Sequence, residues 1–374
     1  MTKLTPQKAI RYMKLLTAIN CTVPLQNSTR FQLMRFKVQR CIVWIHAVVT
    51  LVAMMFAFFY NIHNFSLPRL IQICSVATAI LQIPWQILCF TQQYNRLQYL
   101  ILEMEDHFIR AEGQEREIYQ HYIDKNKVLY AISTGSVHVS AVLFWVQPFV
   151  NSEEQPFPLD ALYPFNVYYQ PMHTIIFLSQ CIAIYQVAAT VCHNCLFGLL
   201  VWFTIARFEI LSNNFRNATN IRDIITCILE HLKLIRYTQD VIASMSTAIL
   251  IVMIICSLSI IVGGLVIIGD AEIADKINFA VMFIAGLFQV YMYVLPSDHL
   301  ISATTNIANA VYNSDWFNQE LAFQSNVLYV LFRSQTPLTI QVSSMIPALS
   351  LNYFSSYVSS AFSYLMSLRV LFLE

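Results

Sequence analysis

TPLTIQVSSMIPALSLNYFSSYVSSAFSYLMSLRVLFLE, residues Thr336 to Glu374, is a serine-rich and nearly uncharged stretch at the carboxyl end. About 20 apolar residues suffice for a helix to cross a bilayer, and we predict one over Leu338–Phe372. An α-helix turns by about 100° per residue, which places a hydroxyl stripe and a stripe of aromatic and small residues on opposite sides of this helix. Because both stripes cannot face lipid, the helix is expected to line a pore or pack on protein. The two stripes are Ser355, Ser356, Ser359, Ser360, Ser363 and Ser367, and Tyr357, Ala361, Tyr364 and Leu368.

The composition excludes a soluble protein. Of the 374 residues, 57% are apolar and 11% are charged, less than half the charged fraction of about 25% that is usual in soluble domains. We therefore predict an all-α integral membrane protein with seven transmembrane helices. The predicted spans are Ile42–Tyr60, Leu70–Phe90, Val128–Phe149, Met172–Phe208, Ala243–Ile268, Ile277–Val294 and Leu338–Phe372.

The distribution of basic residues predicts the orientation. Cytoplasmic loops carry an excess of Lys and Arg, and an intracellular amino terminus places 19 of the 22 basic residues on the inner side. Eight of them lie in residues 1–41, which contain no acid, whereas residues 151–171 contain acids and no base. Seven spans then leave the carboxyl terminus extracellular, which is opposite to the arrangement of a G-protein-coupled receptor.

Two cytoplasmic segments are predicted to be helical extensions of the spans. Apolar residues recur at helical spacing over 221–236, with charged residues between them, and a similar pattern runs from Ile301 to Phe332. These segments either pack within one subunit or form an intracellular assembly region. The predicted organisation is a cytoplasmic arm (1–41), helices 1–6 with a ligand pocket in their outer half (42–300), a cytoplasmic assembly part of helix 7 (301–335) and its pore-lining part (336–374).

Motifs near the carboxyl end resemble the successive signatures of the insect odorant receptor family. They are Ala310–Phe317 (AVYNSDWF), Arg333–Leu338 (RSQTPL), Pro347–Leu351 (PALSL), Phe354 and Ser363–Tyr364. The coreceptor of that family carries a long cytoplasmic insertion after the fourth span, which this chain lacks, so the resemblance implies a ligand-tuning subunit. Gustatory relatives end in Thr-Tyr, five residues and Gln-Phe. Here Ser363, Tyr364, Val370 and Leu371 stand at the corresponding positions, which weakens the alternative of a gustatory-type channel.

The resemblance implies the odorant-binding subunit of a ligand-gated, nonselective cation channel. Such channels are heterotetramers with the coreceptor, in the plasma membrane of olfactory sensory neuron dendrites. The expected ligand is a small volatile, aromatic or heterocyclic odorant, and membrane lipid is the other expected partner. No cofactor and no nucleic acid are expected. A seven-helix receptor of the G-protein-coupled type is a further alternative, which the predicted orientation disfavours.

In this family the last helix lines the pore. The positions that match the coreceptor's gate are Ser367 and Val370, so the resemblance does not imply a tight apolar gate from this subunit. The helical pattern instead favours a seam between the two stripes, at which a constriction could gate by dewetting. This seam consists of Ser360, Tyr364, Ser367 and Leu371.

The family places its ligand pocket in the outer halves of the second, third, fourth and sixth spans. His138, Val142 and Trp145 follow one another at i, i+4 and i+7, so they share a helix face. For each residue, ordinary core packing remains an alternative to ligand contact. The predicted ligand-binding residues are Thr78, His138, Val142, Trp145, Phe177, Cys181, Phe279, Met282 and Phe283.

Other signals in the sequence are weak. Asn64 begins the one Asn-x-Ser/Thr motif on the predicted outer side and is a candidate glycan acceptor. The Cys192–Cys195 motif has no second Cys-x-x-Cys partner, so no metal site is predicted. The sequence contains no phosphate-binding glycine loop and no zinc-protease motif, so no catalytic residue is predicted and an enzyme is not expected.

Overall fold

The computed structural model describes residues 4–23, 29–63, 65–150, 156–268, 273–342 and 347–373, so the predicted glycan acceptor Asn64 lies outside the described residues. The fold is all-α, with 85% of the described residues in helices. The helices are α1 (Pro6–Leu16), α2 (Arg30–Asn61), α3 (Leu67–Gln92), α4 (Tyr94–Arg110), α5 (Gly113–Val150), α6 (Met172–Arg216), α7 (Ile221–Ile268), α8 (Ile273–Tyr312), α9 (Leu321–Ser334) and α10 (Leu351–Leu373).

Six of the described helices, namely α2, α3, α5, α6, α7 and α8, are long and apolar enough to cross a membrane. The 23-residue helix α10 is not among these six. The 48 residues of α7 extend over about 72 Å at 1.5 Å per residue, against a hydrocarbon core of about 30 Å. One unbroken helix therefore joins the predicted fifth span to the amphipathic segment that begins at Ile221, as the sequence predicted.

The predicted helix over Leu338–Phe372 is wrong at its start, because the structure begins this helix at Leu351. The described residues between α9 and α10 are not helical. Pro337 and Pro347 have no backbone N–H, and the residue before a proline is sterically disfavoured in a helix. The linker folds back on itself instead, since the Leu349 N–H donates to the Ile340 carbonyl at 3.1 Å. Both side chains are fully buried.

Residues 301–335, which the sequence predicts to be the cytoplasmic part of helix 7, do not form one continuous helix. Residues 301–312 are the end of α8, and a turn with a short 3₁₀ helix over Trp316–Asn318 separates them from α9. Local hydrogen bonds explain the break: Ser314 Oγ donates to the Val311 carbonyl at 2.7 Å, and Asn318 Nδ2 donates to Asp315 Oδ1 at 2.7 Å. Polar side chains that bond to the nearby backbone or to each other favour turns over a continued helix.

Helix α6 is the central element of the bundle. Almost every residue from Ala188 to Phe208 is buried, on all sides of the helix. Towards its carboxyl end, the Arg207 guanidinium donates to Glu103 Oε1 of α4 at 2.8 Å, and both side chains are largely buried. The other long helices pack around α6, which makes it the core of the protein.

The amino-terminal arm is docked onto the bundle. Gln7 Nε2 donates to the Phe108 carbonyl at 3.1 Å, and Lys14 Nζ pairs with Glu105 Oε1 at 2.5 Å. Further along the arm, Asn20 Nδ2 reaches the Gln186 carbonyl of α6 at 3.0 Å. Helix α1 is thus held against the junction of α4, α5 and α6.

Close packing of α5 on α6 requires a glycine at position 198. A Cβ atom there would overlap the Tyr130 phenol, including its ring atom Cε1 at 2.9 Å. We predict that Gly198→Ala lowers the free energy of unfolding by about 1–3 kcal/mol, the usual cost of overpacking. The measurement is the apparent melting temperature of the purified protein, followed by tryptophan fluorescence.

Gly135→Ala is the matched control, because a Cβ atom at Gly135 would meet no heavy atom within 4 Å. Ala is favoured over Gly in a helix interior by about 1 kcal/mol, so this variant is expected to be at least as stable as the parent. Equal melting temperatures for the two variants would contradict the close contact between Gly198 and Tyr130.

Candidate ligand site and pore helix

Three of the predicted ligand residues meet where α5 packs on α6. Trp145 Nε1 donates to the Cys181 carbonyl at 3.2 Å. The rings of His138 and Trp145 both lie next to Tyr185, with centroid distances of 5.7 Å and 6.4 Å. All four side chains are partly exposed. The sequence did not single out Tyr185, although it stands one helical turn from Cys181.

The other α5 and α6 positions lie at the edge of this group. Phe177 packs edge to face on Phe149 at 5.6 Å, at the outer end of the two helices. Val142 is 49% exposed on the single chain and therefore points away from the packed side of α5. Helical spacing alone had placed Val142 on the same face as Trp145.

The remaining four predicted residues belong to other regions. Phe279 is buried with Ile71 and Val266, whereas Phe283 is buried in a different cluster with Ile260 and Ala361. Met282 is exposed, and Thr78 donates to the Ser75 carbonyl of its own helix at 2.8 Å. The structure thus does not bring the nine predicted residues together around one cavity.

A small cavity of about 20 Å³ lies between α2, α3, α5 and the segment that precedes α6. It borders the α5–α6 group, because Phe144 of its wall directly precedes Trp145. Leu159 lines this cavity from the segment that precedes α6. The sequence did not predict this position, because the segment has no helical periodicity. The lining residues include Met54, Ile73, Val76, Phe144, Gln147 and Leu159.

Residues 157–162 close the cavity from one side, and we call them the outer flap. Asp160 accepts from Arg69 Nη2 and Nε at 3.2 Å and 3.3 Å, and the Arg69 guanidinium lies 4.3 Å from the Phe65 ring centroid. The Leu159 N–H donates to Gln180 Oε1 at 2.8 Å. Next to the flap, burial raises the pKa of the Tyr163 hydroxyl, which stays neutral. These bonds fix the flap to α3 and α6.

Polar side chains in the middle of the bundle connect α6 with α10. The Tyr293 hydroxyl donates to Asn194 Oδ1, and Cys256 Sγ donates to Gln289 Oε1 at 3.6 Å. One residue further along α7, the Ser257 hydroxyl lies 3.0 Å from the Tyr357 hydroxyl of α10. Interhelical hydrogen bonds of this kind hold membrane helices in register.

Helix α10 presents two different faces. Tyr357, Ala361 and Leu365 pack against α7 and α8, so two residues of the predicted aromatic and small-residue stripe meet protein, whereas Tyr364 of that stripe is exposed. The serine face is exposed, and several of its hydroxyls donate to carbonyls four residues earlier, as in Ser367 to Ser363 at 2.9 Å. Of the predicted pore residues, Ser360, Tyr364, Ser367 and Val370 are exposed. The side chain of Leu371 lies outside the described residues.

A bundle of long apolar helices with a polar face on its last helix defines a multi-pass membrane receptor or channel. The sequence model of the 7tm Odorant receptor family matches residues 66–362. The chain therefore belongs to the insect odorant receptor family, which confirms the resemblance noted above. Membership of this family of receptors also means that the protein is not an enzyme.

Individual relatives agree with this membership. The chain is 22% identical to Odorant receptor 10 of Aedes albopictus over 298 residues, which cover 75% of this chain and 76% of the relative. It is 25% identical to putative odorant receptor 92a of Drosophila melanogaster over 150 residues, or 40% of this chain and 36% of that protein. The first match extends over most of both proteins.

The fold is also that of a solved olfactory receptor, OR5 from Machilis hrabei. The match has a TM-score of 0.80 with 16% identity and covers 97% of each chain. The complex of the same receptor with eugenol matches with a TM-score of 0.78 and 15% identity, over 97% of this chain and 98% of that one. At this identity the likeness establishes the fold alone.

The Arg69–Asp160 pair is expected to hold the outer flap closed. We predict that Asp160→Asn speeds amide hydrogen exchange at Leu159 and Leu162 by about fivefold, because a partly exposed ion pair contributes up to about 1 kcal/mol. Hydrogen exchange read by mass spectrometry measures the effect, and Arg69→Gln should give a similar increase.

Asp106→Asn is the control for loss of an acid, since Asp106 pairs with Arg110 on α4. It should leave exchange in the flap unchanged. If the double variant of Arg69 and Asp160 opened the flap by the product of the two single effects, the two residues would be acting independently and the predicted coupling would be absent.

Proposed function

We propose that the protein is the odorant-binding subunit of a heteromeric, ligand-gated, nonselective cation channel, with the coreceptor as its partner. The observation that supports it most directly is the serine face of α10, which stays exposed while the opposite face packs on α7 and α8. A polar face on a membrane helix needs water or protein next to it. A central pore shared by several subunits supplies the water.

The pore proposal counts α10 as a seventh span. With an intracellular amino terminus, seven spans leave the carboxyl terminus outside, in agreement with the distribution of basic residues. The serine hydroxyls that donate to their own helix leave oxygen lone pairs directed outward. Such a surface favours cations weakly and without selection among them. The proposed pore residues are Ser360, Tyr364, Ser367, Val370 and Leu371.

The proposed ligand site lies in the outer half of the bundle, around the cavity beneath the outer flap and the α5–α6 group beside it. The solved relative binds eugenol, which supports a small aromatic or heterocyclic odorant for this chain. Aromatic rings offer stacking or edge contacts, and His138 offers a single polar handle. The ligand contacts proposed at this site are His138, Trp145 and Cys181, with Val142 and Phe177 at its edge. Thr78, Phe279, Met282 and Phe283 belong to other regions and stay sequence-based predictions.

Ligand binding is proposed to reach the pore through α7 and α8. Phe283 packs on α10 next to Ala361, and its ring lies 5.9 Å from that of Phe362. The Ser257–Tyr357 contact joins α7 to the same helix. A shift of α7 or α8 on odorant binding would thus move α10 directly.

The cytoplasmic ends of α7 and α9 are proposed as the assembly region. Large apolar side chains are exposed there, which is unfavourable unless another subunit covers them. Leu321 is 81% exposed at the start of α9, and Phe332 is exposed near its end. The proposed interface residues are Ile225, Leu229, Leu321, Leu328 and Phe332. The assembled channel is proposed to lie in the plasma membrane of olfactory sensory neuron dendrites.

Recording from cells that express the chain with the coreceptor tests the function. An activating odorant found in a panel of volatile compounds should evoke a nonselective cation current in excised patches without nucleotide. We predict that Trp145→Ala and His138→Ala each raise the half-activating concentration by about two- to tenfold, the range that corresponds to 0.5–1.5 kcal/mol for one aromatic contact.

Trp85→Ala is the matched control, since Trp85 is half exposed on α3 and contributes to no buried cluster. Its dose-response curve should match that of the parent. Unchanged curves for both His138→Ala and Trp145→Ala with every activating odorant would remove the α5–α6 group from the ligand site. A current that needs an added G protein would overturn the channel itself.

Cysteine substitution on α10 tests the pore face. Ser360→Cys and Ser367→Cys should each become reactive towards a positively charged thiol reagent during odorant application, with loss of most of the current. Ala361→Cys, whose side chain packs on α7 and α8, should be insensitive. Block of Ala361→Cys together with protection of both serine positions would assign the pore to the other face.

A further inference from the structure

A second cavity, of about 100 Å³, lies between α1, α5 and α6, and its wall on α5 ends at Thr134, one helical turn before His138 of the proposed odorant site. A water molecule takes about 30 Å³, so the space is several times larger than one water. Its wall is formed mainly by apolar and aromatic side chains. They include Ala9, Met13, Tyr130, Ala131, Leu199 and Trp202.

Several polar groups of this wall already have hydrogen-bond partners in the protein. Trp202 Nε1 donates to the Tyr130 hydroxyl at 2.9 Å, and the Tyr122 hydroxyl donates to Glu209 Oε2 at 2.6 Å. Thr134 Oγ1 donates to the Tyr130 carbonyl at 2.9 Å. A buried water needs two to four polar partners. The cavity therefore favours an apolar occupant over water.

The mouth of the cavity lies at the inner end of the predicted third span. The wall residues Tyr12, Lys127 and Ala131 are exposed. Val128 and Ile132, which follow Lys127 on α5, are each about 60% exposed on the outer side of the helix. The cavity thus opens where an apolar, lipid-facing surface meets a lysine, which is the composition of a membrane interface.

Helix α1 supplies the other rim of the mouth. Lys8, Arg11, Tyr12 and Leu15 follow one another at i, i+3, i+4 and i+7, so they share a face. Tyr12 is 51% exposed and Leu15 is 71% exposed. An exposed face that carries both cationic and apolar side chains can contact headgroups and acyl chains together at a membrane interface.

We propose that this cavity holds the end of an acyl chain of an anionic phospholipid from the inner leaflet. The apolar wall binds the chain, and the cationic face of α1, with Lys127 at the mouth, binds the headgroup. Lys127 also pairs with Asp124 at 2.7 Å, so most of the preference for an anionic lipid comes from Lys8 and Arg11. The proposal uses the intracellular position of the arm, which is part of the proposed function.

Lipid is the occupant that the surroundings favour. The opening is continuous with exposed apolar residues of α5, so acyl chains are the molecules next to it in a membrane. Basic residues near a membrane surface attract anionic headgroups, each by about fivefold in affinity. The same geometry makes the lipid a contact between the arm and the bundle, since α1 contributes Ala9 and Met13 to the wall.

Photo-crosslinking tests the site in the full-length protein. The probes are phosphatidylglycerol and phosphatidylcholine, each with a diazirine near the end of one acyl chain, in membranes of phosphatidylcholine. The anionic probe should label the peptides that contain Tyr130–Ala131 and Leu199–Trp202 more strongly than the neutral probe. Lys8→Gln and Arg11→Gln should each reduce this preference by about fivefold.

Two variants separate the cavity from the general lipid surface. Ala131→Phe fills the space and should remove labelling of Leu199–Trp202. Ile132→Phe, at the adjacent lipid-facing position that does not line the cavity, should leave that labelling intact. Equal labelling of Leu199–Trp202 in both variants would overturn the proposal, as would labelling that an activating odorant competes away.

The test does not depend on conduction. A chain that labels as expected but gives no odorant-evoked current would contradict the proposed function and leave the lipid site standing. A chain that conducts but labels equally with both probes would contradict the anionic lipid site alone. Epitope tags at the two termini, detected with antibodies applied to either side of the membrane, establish separately which leaflet faces α1.

Discussion

The structure depends on the complete burial of α6. A helix that is covered on all sides for about six turns, as from Ala188 to Phe208, needs neighbours in every direction. Helices α3, α5, α7 and α8 meet this requirement along its length, and the docked arm covers what they leave near Gln186 and His193. Around the central α6, the peripheral helices α2, α5 and α10 each keep an exposed face. The exposed faces of α2 and α5 are apolar, and that of α10 is rich in hydroxyls.

The polar residues inside the bundle explain how helices that are apolar nearly all round keep a defined register. Lipid solvates Leu as well as a protein interior does, so apolar burial alone does not position one membrane helix on another. The Tyr293–Asn194 and Ser257–Tyr357 contacts do so, because a slip of one residue would leave these groups unpaired in a medium that cannot solvate them. The Arg207–Glu103 pair has the same effect between α6 and α4.

The sequence predicted six of the spans because apolar length and the absence of charge decide whether a segment enters lipid. It also indicated the family, because each motif that carries the resemblance is a continuous stretch of sequence. The sequence-based predictions failed where contacts between residues distant in the sequence determine the structure. The segment before Leu351 was predicted to be part of the last helix, yet its described residues are not helical, and the Leu349 N–H donates to the Ile340 carbonyl. The predicted ligand residues were chosen by span and depth, and nothing in their spacing showed that Phe279 and Phe283 pack in separate clusters, or that Leu159 closes a cavity beside Phe144.

The non-helical linker between α9 and α10 has a mechanical consequence. A continuous helix would transmit a rotation or shift of one segment directly to the next. The described linker residues are not helical, so α9 and α10 are not one rigid helix. The buried side chains of Ile340 and Leu349 hold the linker on the core of the chain. A movement of α10 is therefore not passed to α9 along one continuous helix, and the two helices are connected mainly through their separate contacts with α7 and α8.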